Sequence, residues 1–486
     1  MTQPERLHDM NSEDFRQYGK QLIDWIANYL DQPERYPVLS RVKPGEVKGQ
    51  LPDQPPDAPE PFDDILRDFD DIIMPGITHW NNPAFFAYFG ITGSMPGILG
   101  ELLTAGLNVN GMLWRTSPSA TELEEVVMDW LRQMVGLPDT FKGVIMDTAS
   151  ISSMVAVAAA REALNLRIRE EGMAGRSDLP RLTMYTSEQS HSSIEKGGIV
   201  LGIGQQNIRK IEVDAEFRMR PDRLAAAIEA DRRSGYVPFF ACATVGTTST
   251  TSIDPVPAIA DICQREKVWL HVDGAYGGNA AIVPEMRYVL QGVERADSFV
   301  MNPHKWMFTP IDFSAFYTRH VDTLKRAFSI LPEYLRTAEG STVTNFMDYG
   351  VQLGRRFRAL KFWFIVRTYG VDGIIDRIRE HLRLAKLFEG WVRESPEWEV
   401  VAPVPFSTIN FRACPSSVPE EQWDDFNERV LNAVNATGEV FLSHTKLHER
   451  YVLHLAIGNI RTEEKHIARA WELLQQECER LSTEYA

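Results

Sequence analysis

The chain has few cysteines, few basic residues relative to acidic ones, and no long apolar run, and each shortage excludes something. Its four cysteines, Cys242, Cys263, Cys414 and Cys478, lie far apart without CxxC spacing. Neither a thiolate zinc site nor a disulfide framework is encoded, and reduced, packing thiols are expected. Lys and Arg number 51 against 67 Asp and Glu, a net charge of −16. A field of that sign repels nucleic acid and anionic lipid, so neither is expected as a partner. No apolar run approaches the roughly eighteen residues that a membrane span needs. The start, Met1-Thr2-Gln3-Pro4-Glu5, lacks the basic-then-apolar layout of a signal peptide, and a cytoplasmic location is expected. Internal repeats and low-complexity tails are also missing. The acidic cluster Asp63, Asp64, Asp68, Asp70 and Asp71 is interleaved with Ile65, Leu66 and Phe69 at helical spacing. It reads as a solvated helix face, and no metal is expected.

What is present describes a folded chain of 486 residues, 44% apolar and 24% charged, long enough to bury a large core. After the N-cap signal Asn11-Ser12, Phe15, Tyr18, Leu22, Trp25, Ile26 and Tyr29 recur at three-to-four spacing and predict an amphipathic helix. A proline-rich connector from Leu51 to Pro61 follows, and this arm is expected to pack on another subunit. Between about residues 140 and 320, short β-forming runs alternate with helical stretches. Val144–Met146, Leu182–Tyr185, Phe239–Cys242, Val268–Val272 and Ser298–Val300 are the predicted strands of a parallel sheet covered by helices. In such sheets ligands bind at the carboxyl ends of the strands. Beyond about residue 370 the pattern is α+β, with strands over Phe406–Phe411 and Tyr451–Leu455 and a closing helix through Trp471 and Leu474.

The chemistry-bearing residues fall in the turns after those strands. Asn302-Pro303-His304-Lys305-Trp306 puts a lysine at the end of an apolar run. Desolvation lowers the pKa of such an amine, and bonding to a carbonyl cofactor such as pyridoxal phosphate is its natural use. His271-Val272-Asp273-Gly274 ends another strand in a carboxylate, able either to hold a pyridinium nitrogen protonated or to cap the following turn. Asp147-Thr148-Ala149-Ser150 leads into a helix, where N–H groups, hydroxyls and the helix dipole converge as a phosphate cradle or simply as a cap. Asp147 suits that cradle only if turned away from it. Gln189-Ser190-His191 places an imidazole after a fourth strand, either stacked on a cofactor ring or structural. Hydroxyls, histidine, aspartate and lysine thus occur in order, each after its own strand, as one cofactor pocket requires.

On these residues, and on Asn82-Pro83-Ala84-Phe85-Phe86-Ala87-Tyr88-Phe89, Ser117-Pro118-Ser119-Ala120-Thr121-Glu122-Leu123-Glu124 and Leu353-Gly354-Arg355-Arg356-Phe357-Arg358-Ala359-Leu360-Lys361, the chain resembles the group II pyridoxal-phosphate decarboxylases of fold type I, and among them the aromatic-L-amino-acid decarboxylases. The resemblance runs over nearly the whole chain. It implies an α/β, PLP-dependent transferase-like fold: an N-terminal helical dimerisation arm over 1–85, a large cofactor-binding domain over 86–370 on a mostly parallel seven-stranded sheet, and a small C-terminal α+β domain over 371–486. It implies a carboxy-lyase acting on tryptophan, tyrosine, phenylalanine or dihydroxyphenylalanine, and a homodimer with its active site at the subunit interface. Lys305 would bond pyridoxal 5'-phosphate covalently, Asp273 pair with its ring nitrogen, and His191 stack on its ring. Phosphate contacts would come from Ala149, Ser150 and Asn302 with Thr248 nearby, and Ala275 and His304 would lie beside the cofactor. The substrate pocket would take Trp80, Tyr88 and Phe89, together with Asn110 and Met112 of the neighbouring subunit.

The chain departs from the family pattern in the loop over about 328–350. Relatives carry a tyrosine there that returns a proton to Cα after carbon dioxide leaves, and a gap-free count back from Leu353 puts Phe346 in its place. Plant relatives with that exchange let the carbanion react with oxygen, releasing an aldehyde, ammonia and hydrogen peroxide. Tyr349 or Tyr334 is the alternative proton donor, and Tyr349 lies on the same face as Phe346 if that stretch is helical. Ile151 and Ile91 also stand where relatives place an acidic residue and a hydroxyl, at the phosphate end.

Overall fold

A computed structural model describes residues 9–330, 339 and 342–485. Seven strands form the large sheet: β1 (Lys142–Met146), β2 (Leu182–Ser187), β3 (Ile208–Ile211), β4 (Val237–Thr244), β5 (Trp269–Asp273), β6 (Ser298–Met301) and β7 (Ser314–Thr318). Their order is β1-β7-β6-β5-β4-β2-β3. Neighbours from β3 to β6 are parallel, while β7 runs antiparallel to both β6 and β1. Helices cover the sheet, so β2, β5 and β6 are buried along their whole length, which is why they read as unbroken apolar runs. The α/β architecture with a mostly parallel seven-stranded sheet is the one expected, although β3 and β7 were not among the predicted strands.

The smaller sheet, β10-β11-β9-β8, is antiparallel throughout and is built from β8 (Trp398–Val400), β9 (Thr408–Ala413), β10 (Ser443–Leu447) and β11 (Arg450–Ala456). β9 starts two residues later than predicted. Phe406 is instead packed edge-on against Tyr276 and Trp306, and the Ser407 hydroxyl donates to the Ile457 carbonyl. A long helix, Ala359–Glu394, joins the two sheets and is interrupted at Gly370, whose φ of +66° is open to glycine at no steric cost.

The first helix, Ser12–Asp31, begins at Asn11, whose side chain accepts from the Glu13 and Asp14 N–H groups. Tyr18 and Trp25 pack on Phe62 and Phe69 of the acidic helical stretch, while Phe15 stays 65% exposed. A second helix, Met95–Leu107, presses on Ala359–Glu394 so closely that a Cβ on Gly100 would meet the Lys361 Cα at 2.6 Å. Leu99, Leu102, Leu103 and Leu107 on this helix are left about half exposed.

The segment Asn82–Thr92 is sewn to the small domain. Phe86 N–H donates to Phe441 O, Phe441 N–H to Ala84 O, Ala456 N–H to Phe86 O, and the Thr92 hydroxyl to Gly458 O. A Cβ on Gly90 would stand 3.4 Å from the Gly458 Cα, so the two backbones are in direct contact.

Candidate active site

The carboxyl ends of β4, β5 and β6 open on a cavity of about 450 Å³. Trp80, Tyr88, Phe89, Ala149, Ser150, His191, Thr248, Asp273, Ala275, Asn302, His304 and Lys305 line it together. Asp273 is the last residue of β5. Lys305 sits in the single helical turn Pro303–Trp306 after β6, where Pro303 occupies the first helical position and its missing N–H costs nothing. Ala149 and Ser150 open the helix that follows β1, and His191 caps the helix that follows β2.

Burial lowers the Lys305 pKa, opposed by the nearby Asp273 carboxylate, so the neutral amine is within reach. Asp273 Oδ1 accepts from the Ala275 N–H at 3.0 Å, and no hydrogen bond among the described residues engages Oδ2. The cap and the ligand role are therefore compatible, one oxygen for each. His191 Nδ1 accepts from the Ser193 N–H at 3.1 Å, which puts the ring proton on Nε2. Burial holds the imidazole toward its neutral form, against the pull of Asp273. His304 Nδ1 likewise accepts from the Phe313 N–H at 2.9 Å, and burial pushes this ring down to about 3. Both rings are thus neutral hydrogen-bond donors through Nε2.

These residues fit pyridoxal phosphate on grounds visible in the chain itself. The helix starting at Ala149 has no side-chain cap from Thr148, and its first two N–H groups have no backbone partner among the described residues, so a phosphate would satisfy them and the dipole together. Asp147, the one misplaced charge for such a cradle, is turned to Arg358 at 2.7 Å and to Gln352. Ile151 packs on the apolar core beside the sheet, while Ile91 lines the cavity. Asn302 Oδ1 is buried without a partner among the described residues.

Asn110 and Met112, expected from the neighbouring subunit, and Phe346 and Tyr349 do not line this cavity within one subunit. Asn110 Oδ1 accepts from the Arg355 N–H and Met112 O from the Met347 N–H, so the 110–112 stretch is bound to the 345–355 stretch instead. Phe346 and Tyr349 occupy a 3-10 turn and are core residues, 3% and 8% exposed. The Arg355 guanidinium, paired with Glu124 at 2.7 Å, lies over the Phe346 ring at 4.7 Å. Burial pushes the Tyr349 phenol up to about 12, with Lys325 over its ring. Within this subunit neither Phe346 nor Tyr349 lines the cavity that holds Lys305. Tyr334 lies outside the described residues.

The sequence missed Tyr276, Ser249, Ser443, Thr445 and His454, which also line the cavity. Thr445 Oγ1 donates to Ser249 Oγ at 3.0 Å, and the Tyr88 N–H to Ser443 Oγ at 3.2 Å, so β10 forms one side of the site. His454 is buried and pushed down to about 4 by desolvation. Among the described residues no group of His, Cys, Asp or Glu is placed to hold a metal ion, and no helix is long and apolar enough to cross a membrane.

Comparison with known proteins gives one consistent result. The pyridoxal-dependent decarboxylase conserved domain matches residues 44–414. Tyrosine decarboxylase 2 of Arabidopsis thaliana is 42% identical over 491 residues, covering 98% of this chain and 89% of its own length. A phenylacetaldehyde synthase of the same plant is 42% identical over 482 residues, covering 97% of each chain. The crystal structure of Oryza sativa TDC with PLP and tryptamine superposes with a TM-score of 0.94 at 38% identity, covering 98% of this chain and 99% of that one.

Proposed function

The chain belongs to the pyridoxal-dependent decarboxylases, with pyridoxal 5'-phosphate as cofactor, and on that premise we propose that it removes the carboxyl group of an aromatic L-amino acid to give the arylalkylamine and carbon dioxide. The observation that carries this reading is the convergence of Lys305, Asp273, His191 and the uncapped helix start on one cavity with an aromatic wall. Trp80 and Tyr88 stack at 5.9 Å and 20°, flat surfaces suited to an aromatic side chain.

When bound, pyridoxal phosphate supplies a carbonyl to which amines attach and a ring that accepts the electron pair left as carbon dioxide departs. Lys305 would hold the carbonyl end, Asp273 the ring nitrogen and His191 the ring face. Ala149, Ser150, Thr248 and Asn302 would hold the phosphate, with Ala275 and His304 alongside. Asp273, buried at the end of β5, would hold a proton on the ring nitrogen through a charge-assisted hydrogen bond. The lowered pKa of Lys305 keeps its amine available for exchange with the substrate amine. Of the three loop rings, Phe346 and Tyr349 pack in the core of this subunit, which supports Tyr334 as the group that would return the proton to Cα.

A second reading is oxidative release of the aldehyde with ammonia and hydrogen peroxide, because the phenylacetaldehyde synthase matches the chain as well as the tyrosine decarboxylase does. The packing of Phe346 favours the amine. Carbon dioxide, oxygen uptake and peroxide, followed together on tryptophan, tyrosine, phenylalanine and dihydroxyphenylalanine, test both readings. Carbon dioxide without oxygen uptake supports the decarboxylase, peroxide equal to carbon dioxide supports the aldehyde synthase, and release of neither from any of the four refutes the substrate class.

The same proposal includes a homodimer with the active site at its interface. The exposed leucines of Met95–Leu107 support it, as does the joined 110–112 and 345–355 unit, which lies off the cavity of its own subunit. The domain bounds 1–85, 86–370 and 371–486 belong to it too, supported by the helix break at Gly370. So does cytoplasmic residence, supported by four free thiols.

A further inference from the structure

The Phe89 and Tyr276 rings lie parallel, with centroids 4.0 Å apart and planes within 10°, and Tyr276 stacks in turn on Trp306 at 4.8 Å and 10°. Lys305 Nζ lies over the Phe89 ring, 5.2 Å from its centroid. Phe89 thus stacks on Tyr276 and also carries the Lys305 nitrogen over its ring, so the residue expected in the substrate wall meets the lysine as well. The column is fixed at its inner end: Tyr276 shares a 2.7 Å hydrogen bond with Ser407, and Trp306 Nε1 donates to His381 Nδ1 at 3.0 Å.

We propose that Phe89 is a positioning residue for Lys305, its ring face holding the lysine ammonium while a substrate amine occupies the lysine's place on the cofactor, with Tyr276 and Trp306 keeping Phe89 in register for that task. The inference rests on the proposed role of Lys305 as the lysine that bonds the cofactor. The exchange balances without another donor. The substrate nitrogen gains the double bond to the cofactor carbon that Lys305 loses. With one proton kept on whichever nitrogen is bonded to the cofactor, the substrate ammonium sheds two of its three protons and the released lysine takes up two to become the ammonium. The ionisable groups facing Lys305 are Asp273 from β5, His191 after β2 and the adjacent His304. Both imidazoles are held toward neutrality, so the ammonium has one carboxylate and one aromatic face to stabilise it. An aromatic face biases a lysine toward its charged form by about two- to five-fold.

The test uses the full-length protein stripped of cofactor. Pyridoxal phosphate is added back, and the return of the absorbance of lysine-bound cofactor is timed across pH. Wild-type protein recaptures pyridoxal phosphate; if it does not, the role of Lys305 itself is wrong and this inference falls with it. Phe89→Leu removes the aromatic face at similar volume, so the ammonium is less favoured. The midpoint of the rate–pH curve then moves down, and capture below the midpoint speeds up about two- to five-fold. In turnover, KM rises by a similar factor with kcat little changed, because release of the lysine is less favourable. Pentafluorophenylalanine at position 89 has the same shape with a reversed quadrupole and shifts the midpoint as leucine does, even if the leucine variant fails to fold. Intact capture with an unmoved midpoint in the fluorinated protein overturns the proposal and leaves the role of Lys305 standing.

Discussion

At the amino ends of β5 and β6 a cavity of about 470 Å³ is lined by Trp269, Asp297, His320, Arg295 and Arg319, while the carboxyl ends of the same strands open on the one of about 450 Å³ that holds Lys305 and Asp273. In the first cavity Asp297 takes His320 at 2.8 Å and Arg319 at 3.5 Å, Arg295 takes Asp261 at 2.7 Å, and Trp269 Nε1 donates to Ser298. In the second, a desolvated lysine, a carboxylate with one idle oxygen and an uncapped helix start are left for something else to complete. Equal volume thus accompanies opposite chemistry, and unsatisfied groups mark the site where size does not. One strand face serves both ends, since Trp269, His271 and Asp273 alternate along β5 and Ser298 ties the first two together.

Substitutions at the two ends should therefore differ in kind. Lys305→Ala has the largest expected effect: loss of the bound-cofactor absorbance and a fall in kcat of roughly 10⁴-fold or more, because the group that exchanges with substrate is gone. Asp273→Asn should retain the cofactor but lower kcat about 10²- to 10³-fold, since the charge that keeps a proton on the ring nitrogen is removed. Tyr334→Phe should keep carbon dioxide release and convert much of the amine to aldehyde with matching peroxide, whereas Phe346→Tyr should leave the product ratio unchanged. A product switch on Phe346→Tyr would restore Phe346 to the chemistry. Asp297→Asn, at the paired end, is the smallest: about 1 kcal/mol of stability in denaturant unfolding, with kcat within two-fold of wild type. A large loss of kcat there would mean that the two ends are coupled through β5.

How far the sequence could be read follows from how local each signal is. Lys305, Asp273, Ala149 and His191 were legible because each ends a strand or opens a helix within a few residues of an apolar run. β3 was missed because it is four residues long with Arg209 and Lys210 at its centre, and β7 because nothing local shows that it reverses direction between β6 and β1. Tyr276 stood one residue past Ala275 in the turn already singled out, but its stack on Phe89 is made by tertiary packing. The small-domain residues Ser443, Thr445 and His454 reach the cavity across nearly two hundred residues from Ser249, a distance no motif spans. Counting along a loop cannot show that Phe346 sits in a 3-10 turn folded under Arg355.

The stitching of Asn82–Thr92 to Phe441, Ala456 and Gly458 has a consequence for how the protein is made. During synthesis the segment bearing Tyr88 and Phe89 leaves the ribosome more than three hundred residues before the backbone that holds it. The large sheet, complete by Thr318, can assemble first, but the aromatic wall must wait until almost the entire chain has been released. The ability to hold an aromatic substrate is therefore among the last properties that a newly made chain acquires, because a chain ending before residue 441 lacks the backbone partners of Phe86.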